Sequence, residues 1–394
     1  MFLALGEHPP ANGFLSQEQL SAPEARFPLN TFVCLDCGLI QVPDNVPANF
    51  FRNYVYVPSG ASTMFTHFEA FADKMVREYA PSTDDLIIDI GCNNGLFLGY
   101  CKDKGGRVLG IDPADNLTEL TIAKGIEVVR EYFGTTIGRA VAASHPPAKV
   151  ITSTNTFNHI DDLHDFMGGI IQVLAIDGVF VVEVPHSLDL VEKNEFDTIY
   201  HEHVSEFSVK SFVDLYRFFD LEVFKIESLP IHGGSMRVFA QRRGASRPIE
   251  PTVGEWLSRE VDARLFSRET YEAFTHRVHE IRTELLQLLA ELKAKGHSVA
   301  GYGAPAKGNT LLNYYGIGPD TLPFLVDRNE LKQGLFSPGM HIPVVGPERI
   351  LEVQPDYLLV LAWNFADEII EQQQEYQRRG GKFILPIPRP VVVG

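Results

Sequence analysis

Four titratable side chains stand next to one another at Tyr200, His201, Glu202 and His203. A histidine titrates near neutral pH and can accept a proton, and a tyrosine hydroxyl can donate to a negatively charged oxygen. Removing a proton from a carbon beside a ketone requires both functions, because the enolate oxygen must be stabilised. The cluster therefore indicates carbon-acid chemistry. The same side chains could instead satisfy one another in a polar loop, or His201, Glu202 and His203 could contribute to a metal site.

A further histidine, His159, lies in segment 155–162, directly after a predicted strand at 149–152. Ligands of open parallel sheets bind beyond the carboxyl ends of the strands. We therefore expect His159 and Asn155 at the ligand-binding edge, with Asn155 among the cofactor contacts. The alternative is that His159 is a structural histidine.

The strongest local pattern is a glycine-containing loop after an apolar strand. The predicted strand Leu86–Ile90 ends at Gly91, and Gly95 opens a helix. Asp112 follows twenty-one residues after Gly91, at the end of the next predicted strand. An acid at this position can bind both hydroxyls of an adenosine ribose. The pattern predicts an adenosine-containing cofactor; the alternative is an ordinary turn whose glycines serve backbone geometry alone.

Two residues favour S-adenosylmethionine over NAD. Asn93 stands where a dinucleotide-binding loop needs a second glycine against the pyrophosphate. Asp89 would repel phosphates, whereas its carboxylate suits the ammonium group of a methionine moiety. The expected cofactor contacts are Asp89, Gly91, Asn93, Gly95, Asp112 and Asn155.

Alternating strands and helices must position these loops. After Leu86–Ile90 come predicted strands at 107–111, 149–152, 178–184 and 236–240, a rhythm typical of a doubly wound, mostly parallel α/β sheet. A second α/β block starts near residue 298. The predicted division is an N-terminal module (1–58), a cofactor-binding domain (59–245), a connector with one long helix at about 256–295 (246–297) and a C-terminal α/β domain (298–394).

The second block opens with its own glycine-containing turn at 303–308, which could hold a diphosphate through backbone N–H groups and Lys307. The equally weighted alternative is a helix start packed under a strand. Asn309 and Lys332 are further candidates for substrate contacts. An NAD-linked oxidoreductase using the turn at 302–309 is a rival interpretation of this block.

Composition limits the partners. The 394 residues carry a formal charge of −17, which argues against a general nucleic-acid binder and against binding to anionic membranes. No apolar run approaches the ~20 residues that span a bilayer, and the first residues lack the pattern of a signal peptide. Four cysteines do not make a disulfide framework. We expect a cytoplasmic protein; the sequence gives no indication of its oligomeric state.

Taken together, these residues resemble the sugar C-methyltransferases of deoxysugar biosynthesis, which make branched sugars. The resemblance runs from about Leu5 to the C-terminus. It is carried by motifs along the whole chain: Leu5-Gly-x-x-Pro-x-Ala-Asn12, Val33-Cys-x-x-Cys-Gly-Leu-Ile-Gln41, Tyr54 with Ser59-Gly60, Asp89-Ile-Gly-x-Asn-x-Gly95, Asn155-x-x-x-His-Ile-Asp-Asp-Leu163, Tyr200-His-Glu-His203, Gly301-Tyr-Gly-Ala-Pro-Ala-Lys-Gly-Asn309, Pro338-Gly-x-x-Ile-Pro343 and Ala362-Trp-Asn364.

The resemblance implies a zinc-binding N-terminal module, a Rossmann-like class I methyltransferase domain and a C-terminal Rossmann-like α/β domain around a nucleotide-linked 4-keto-sugar. It implies that His203 is the general base, that Tyr200 and Glu202 assist it, and that His159 and Tyr54 contact the substrate. An O- or N-methyltransferase of another small metabolite is the alternative that keeps the cofactor loop.

Zinc is the doubtful part of this expectation. Cys34 and Cys37 would supply two thiolates of a four-thiolate site, and family members carry a second cysteine pair upstream of the stretch that matches Leu5-Gly6. Two thiolates leave a tetrahedral ion with two open positions. We therefore expect this chain to hold zinc poorly.

Overall fold

Three β-sheets carry the fold in the computed structural model, which describes residues 1–43, 51–52, 62–231 and 233–394. In chain order the strands are β1 (Leu3–His8), β2 (Phe27–Val33), β3 (Ile40–Gln41), β4 (Leu86–Ile90), β5 (Arg107–Ile111), β6 (Glu127–Val129), β7 (Ala148–Thr154), β8 (Leu174–Pro185), β9 (Ser205–Glu206), β10 (Leu221–Leu229), β11 (Ser235–Arg242), β12 (Val299–Tyr302), β13 (Leu325–Val326), β14 (Val344–Val345), β15 (Tyr357–Val360), β16 (Lys382–Leu385) and β17 (Val391–Val393).

The α-helices connect these strands. They are α1 (Ser62–Lys74), α2 (Leu96–Asp103), α3 (Asp115–Ala123), α4 (Thr135–Ser144), α5 (Leu163–Val173), α6 (Ser187–Glu192), α7 (Val209–Phe218), α8 (Pro251–Asp262), α9 (Arg268–Ala294), α10 (Ala306–Tyr315), α11 (Arg349–Val353), α12 (Ala366–Gln372) and α13 (Gln374–Arg378). Over the described part of the chain, no helix is long and apolar enough to cross a membrane.

The central sheet has the order β10-β11-β8-β7-β4-β5-β6. Strands β4 to β8 are parallel, and β11 enters antiparallel beside β8. All residues of β4 are buried because helices cover both faces, which explains its unbroken apolar sequence apart from Asp89. The predicted Rossmann-like α/β fold is confirmed, with β4 and β5 at the predicted bounds.

The C-terminal sheet repeats this construction on a smaller scale. Its order is β14-β13-β12-β15-β16-β17, parallel except for the last strand. The N-terminal sheet is antiparallel throughout and has the order β1-β2-β3-β9. Its fourth strand comes from far along the chain, directly after the cluster at 200–203. The candidate catalytic segment is thereby fastened to the N-terminal sheet.

The single long helix predicted at 256–295 is wrong: α8 and α9 are separate helices. Arg264 takes a left-handed backbone (φ 56°) between them, and the Ser267 hydroxyl accepts from the Thr270 amide to cap α9. An amphipathic pattern continues across this break because both helices bury an apolar face. The buried residues of α9 belong to a core shared with the N-terminal and C-terminal sheets.

A buried ion pair joins the neighbouring strands β8 and β11 of the central sheet. Glu183 is fully buried and accepts from the Arg237 guanidinium at 2.7 and 3.0 Å, while its other oxygen lies 2.7 Å from His67 Nε2. Burial opposes ionisation, but the charge of Arg237 and the contact with His67 outweigh it and lower the pKa of Glu183. The contacts with Arg237 and His67 therefore keep the Glu183 carboxylate ionised.

Removing the arginine should expose this dependence. Arg237→Ala leaves a charge buried without its ion-pair partner and should lower the free energy of unfolding by about 3–5 kcal/mol. Arg77→Ala, which removes an exposed pair with Asp73, should change it by less than about 1 kcal/mol. Urea unfolding followed by circular dichroism measures both. Equal losses in the two variants would contradict the assigned role of the buried pair.

Candidate active site

A cavity of about 640 Å³ lies where the three sheets meet. Its wall includes residues that stand at or just beyond the carboxyl ends of parallel strands in both α/β sheets. Open α/β sheets leave this edge free because the loops there turn away from the covering helices. The residues in question are Gly91 after β4, Asp112 after β5, Asn155 after β7, Gly303 after β12, Asp327 after β13 and Ala362 after β15.

The cofactor loop after β4 is fixed by Asp112. One carboxylate oxygen accepts from the Asn93 amide and the other from the Ala114 amide, both at 2.8 Å. Burial raises the pKa of Asp112, and these two bonds oppose that effect. Each oxygen retains a second lone pair, and the side chain lines the cavity. Asp112 can therefore accept from a ligand while it holds the loop in place.

Glycine is required at the turn itself. Gly91 has φ +84°, and a Cβ atom there would lie 2.0 Å from the Thr156 hydroxyl. Gly95 (φ +68°) is the N-cap residue before α2, and its missing Cβ leaves room for Thr121; it does not line the cavity. Asn93 also takes a left-handed backbone, with φ 51°. The backbone at Gly91 and Gly95 therefore lies too close to neighbouring threonine side chains to admit a Cβ atom.

These residues fit S-adenosylmethionine in chemical character. Asp89 and Asp112 bring two carboxylates to the wall for an ammonium and a ribose, while Leu96, Leu117 and Phe133 supply apolar surface for a base. Burial raises the pKa of Asp89 to about 7, although Thr152 donates to it at 2.7 Å. A cation bound nearby would favour the ionised form of this carboxyl.

Tyr200 and His203 form the candidate catalytic pair. The Tyr200 hydroxyl lies 2.6 Å from His203 Nε2, and both side chains line the cavity. On the other side of the imidazole, Nδ1 lies 2.9 Å from an oxygen of Glu206. Burial lowers the pKa of His203 to about 3, and the charge of Lys307 adds to this. The imidazole is therefore neutral near pH 7 and able to accept a proton.

His159 follows β7 and lies close to this pair at the cavity wall. Its ring centroid is 5.1 Å from that of His203 and 5.6 Å from that of Phe51. Burial and the neighbouring His203 lower the pKa of His159 well below its ordinary value. Two neutral imidazoles thus face one part of the cavity.

His201 and Glu202 make contacts of a different kind. His201 Nε2 lies 3.1–3.2 Å from the carbonyl oxygens of Phe27 and Pro28 on β2. Glu202 accepts from the backbone and side-chain amides of Asn12, at 3.2 and 2.6 Å. Both side chains therefore tie the catalytic segment to the N-terminal part of the chain, and His201 is not directed toward a metal shared with His203.

The C-terminal sheet contributes Lys307, whose ammonium lies 3.9 Å above the Trp363 ring. Burial lowers the pKa of Lys307, while the carboxylates of Asp197 and Glu195 act in the opposite direction. Trp363 donates to Asp197 at 2.7 Å. Lys307 lines the same cavity as the cofactor loop, with its charge supported by acids of the 195–197 segment.

Lys332 and Asn309 were both expected at the substrate, and the structure separates them. Lys332 lines the cavity, and its ammonium donates to the Ala304 carbonyl at 2.8 Å. Asn309 does not line it: its amide donates to the Ala11 carbonyl at 2.8 Å. The first turn of α10 directs Asn309 toward the N-terminal sheet because residues two apart on a helix lie on different faces.

Asp327 and Glu206 escaped the sequence-based prediction. Asp327 accepts from the amides of Ala304 and Asn329 at 2.8 Å, the arrangement that Asp112 has in the central sheet. Its position after β13 was the available signal. Glu206 gave no signal of its own, because an acid three residues after a histidine becomes its partner only when the backbone turns suitably.

Cys34 and Cys37 lie apart from the cavity, in the connection between β2 and β3. Burial raises the pKa of Cys37 to about 11, and the Gly38 amide donates to the Cys34 carbonyl at 2.7 Å. Within residues 1–43, 51–52, 62–231 and 233–394, no three His, Cys, Asp or Glu side chains are grouped as metal ligands. Tyr54 lies outside the described residues.

The assignment of Asp112 to the cofactor can be tested by affinity. Losing a pair of charge-assisted hydrogen bonds costs about 1.5–3 kcal/mol, so Asp112→Ala should weaken S-adenosylmethionine binding by about tenfold or more. Asp115→Ala, in the first turn of α3, removes an exposed acid of the same region and should leave Kd unchanged. Isothermal titration calorimetry gives both values. An unaltered Kd in Asp112→Ala would refute the assignment.

Comparison with solved structures gives distant likenesses. Magnesium protoporphyrin IX methyltransferase of Synechocystis is 10% identical, with a TM-score of 0.36 over 45% of this chain and 83% of that one. The YcgJ protein of Bacillus subtilis is 13% identical, with a TM-score of 0.36 over 46% of this chain and 100% of that one.

Sequence comparison is more decisive. Family models match residues 64–226 as "Methyltransferase domain", residues 230–388 as "C-methyltransferase C-terminal domain" and residues 1–51 as "Putative zinc binding domain". The C-methyltransferase NovU of Streptomyces niveus is 37% identical over 392 residues, which cover 99% of this chain and 93% of the relative. The chain belongs to the S-adenosylmethionine-dependent C-methyltransferase family.

Proposed function

We propose that the protein methylates a carbon next to the ketone of a nucleotide-diphosphate-linked 4-keto-deoxysugar, in branched-sugar biosynthesis. The observation that carries this proposal is the Tyr200–His203 pair, which shares one cavity with the cofactor loop and with the turn after β12. A neutral base beside a phenol is what a carbon acid requires, and methyl transfer to oxygen or nitrogen can proceed without such a pair.

His203 is the base in this mechanism. Its Nε2 removes the proton from the carbon beside the ketone, and the electron pair of that C–H bond moves into an enolate. The Tyr200 hydroxyl then donates to the enolate oxygen, with His159 as a second group at the same part of the cavity. S-adenosylmethionine supplies an electrophilic methyl group when bound, which the nucleophilic carbon requires.

The nucleotide half of the substrate is assigned to the C-terminal sheet. The first turn of α10 lines the cavity through Ala306 and Lys307, and backbone N–H groups at a helix start attract phosphate oxygens. Lys332 adds a second ammonium, of whose three donors one is used by Ala304. Such local cations matter in a chain whose formal charge is −17, because long-range attraction cannot gather an anion.

The base assignment predicts a large loss in turnover. His203→Ala should lower kcat by about 10²–10⁴-fold while Kd for S-adenosylmethionine stays unchanged, and Tyr200→Phe should lose less, since other donors share the oxygen. Methyl transfer to a panel of dTDP-, GDP-, UDP- and CDP-linked 4-keto-sugars is measured by mass spectrometry. His276→Ala, on an exposed part of α9, is the matched control.

Isotope exchange separates this mechanism from O- or N-methylation. In deuterated water with S-adenosylhomocysteine, which has no methyl group to donate, wild-type enzyme should exchange the substrate hydrogen beside the ketone, and His203→Ala should not. Exchange at the wild-type rate in His203→Ala would clear His203 and direct attention to His159 or Glu202. Absence of exchange and of C-methylated product in the wild type would refute the enolate mechanism.

The nucleotide assignment predicts an effect on KM. Lys307→Ala removes a positive charge from the cavity wall and should raise KM for the nucleotide-linked sugar by about tenfold or more, because a charge-assisted hydrogen bond contributes roughly 1.5–3 kcal/mol. Lys332→Ala should act in the same direction. Lys293→Ala, on the exposed end of α9, serves as control. A constant KM in both folded variants would locate the nucleotide elsewhere.

A further inference from the structure

Glu206 is a buried acid that the mechanism above leaves without a role. Its side chain is 2% exposed, and one oxygen lies 2.9 Å from His203 Nδ1. Among the described residues, the other oxygen has no hydrogen-bond partner. Burying a carboxyl with so few partners costs stability. Burial of the Glu206 carboxyl therefore lowers the stability of the fold, which points to a role at the His203 imidazole.

The contact determines which nitrogen of His203 can act. A neutral imidazole has one donor nitrogen and one acceptor nitrogen, and the hydrogen bond at one decides the state of the other. An ionised Glu206 accepts from Nδ1–H. Nε2, beside the Tyr200 hydroxyl and facing the cavity, is then the acceptor.

The backbone of Glu206 is fixed from the N-terminal sheet. Strand β9 pairs antiparallel with β3, with Glu206 opposite Ile40, and the Val42 amide donates to the Val204 carbonyl at 3.0 Å. Ile40 is itself in the hydrophobic core. The pairing of β9 with β3 thus fixes the backbone of Glu206 and, with it, the position of the carboxyl relative to His203.

We propose that Glu206 is the positioning residue of the base, holding His203 so that Nε2 faces the cavity and balancing the positive charge that the ring acquires when it takes the substrate proton. This inference rests on the proposed function of His203. Glu206 acts through the imidazole and is not itself in contact with the substrate.

Electrostatics gives the proposal a pH signature. Burial raises the pKa of Glu206 and lowers that of His203, so burial favours the neutral form of each group, and a positive charge on the ring in turn favours the ionised form of Glu206. Lys307 on α10 also disfavours protonation of this ring, whereas a hydrogen bond to the Thr198 backbone favours it, and the neutral His159 ring lies beside it. Glu206 supplies the opposing negative charge, and without it the pKa of His203 should fall further.

The chain offers a matched control in a second buried pair. Glu260 lies 2.9 Å from His186 Nε2, both side chains are fully buried, and neither lines the cavity. Glu260 also accepts from the Val209 and Lys210 amides at the start of α7. Glu260→Gln therefore reports what the loss of a buried Glu–His pair does to the fold alone.

The kinetic experiment compares Glu206→Gln, Glu206→Ala and Glu260→Gln in the full chain. Glu206→Gln keeps an acceptor for Nδ1–H but loses the charge, so kcat should fall about ten- to a hundredfold, with KM unchanged and the acidic limb of the kcat/KM profile shifted to lower pH. Glu206→Ala should lose more, because orientation is lost as well. Glu260→Gln should keep the wild-type profile. Wild-type kcat and pH profile in Glu206→Gln, or the same change in Glu260→Gln, would overturn the proposal.

A second measurement does not require turnover. Nitrogen-15 NMR of histidine-labelled protein, with the His203 signal assigned from His203→Asn, reports tautomer and pKa directly. The expected result is Nδ1–H in the wild type and a shift toward Nε2–H in Glu206→Ala. An unchanged tautomer and pKa would refute the positioning role. If the wild type methylates no keto-sugar of the panel, the proposed function fails, and the NMR result still decides the role of Glu206.

Discussion

The pairing of β3 with β9 is the contact on which the arrangement of the active site depends. Two α/β sheets each present the carboxyl ends of their strands to one cavity, and segment 200–206 lies between them. This segment belongs to neither sheet, so its side chains need another support. The N-terminal part of the chain provides it: β3 pairs with β9, Asn12 in the connection after β1 donates to Glu202, and carbonyls of β2 contact His201. The N-terminal sheet is therefore a structural wall of the site.

In both α/β sheets, an acid at the end of the neighbouring strand accepts hydrogen bonds from the backbone of the loop. A turn beyond a strand end points backbone N–H groups inward, and each needs an acceptor. Asp112 and Asp327 supply it from the neighbouring strand in the two sheets. In each case the carboxylate also remains on the cavity wall. A loop with a fixed backbone loses less entropy when a ligand binds, which favours affinity.

Burial sets the protonation states around the cavity. His203 and His159 are held neutral, because the low dielectric penalises the charged form of each. The same effect raises the pKa of Asp89 to about 7 and lowers that of Lys307, whose charge is supported by Asp197 and Glu195. The charge of Lys307 is kept because acids lie beside it, whereas burial keeps His203 neutral although Glu206 lies at its Nδ1.

The sequence by itself determined the local features. Apolar runs bounded by glycine gave β4 and β5 at their observed bounds, the spacing from Gly91 to Asp112 gave the acid of the cofactor loop, and the residue types of 200–203 gave the candidate base. The strand bounds and the position of Asp112 beside the loop were predicted correctly because they depend on neighbours within a strand or a βαβ unit, whereas the base assignment stays a prediction. Tertiary structure decided the rest: Glu202 meets Asn12 across 190 positions, Asn309 meets Ala11 across 298, and Glu206 faces His203 because β9 pairs with β3. Such contacts follow from the packing of the three sheets against one another. The periodic spacing of residues along the sequence contains no information about that packing.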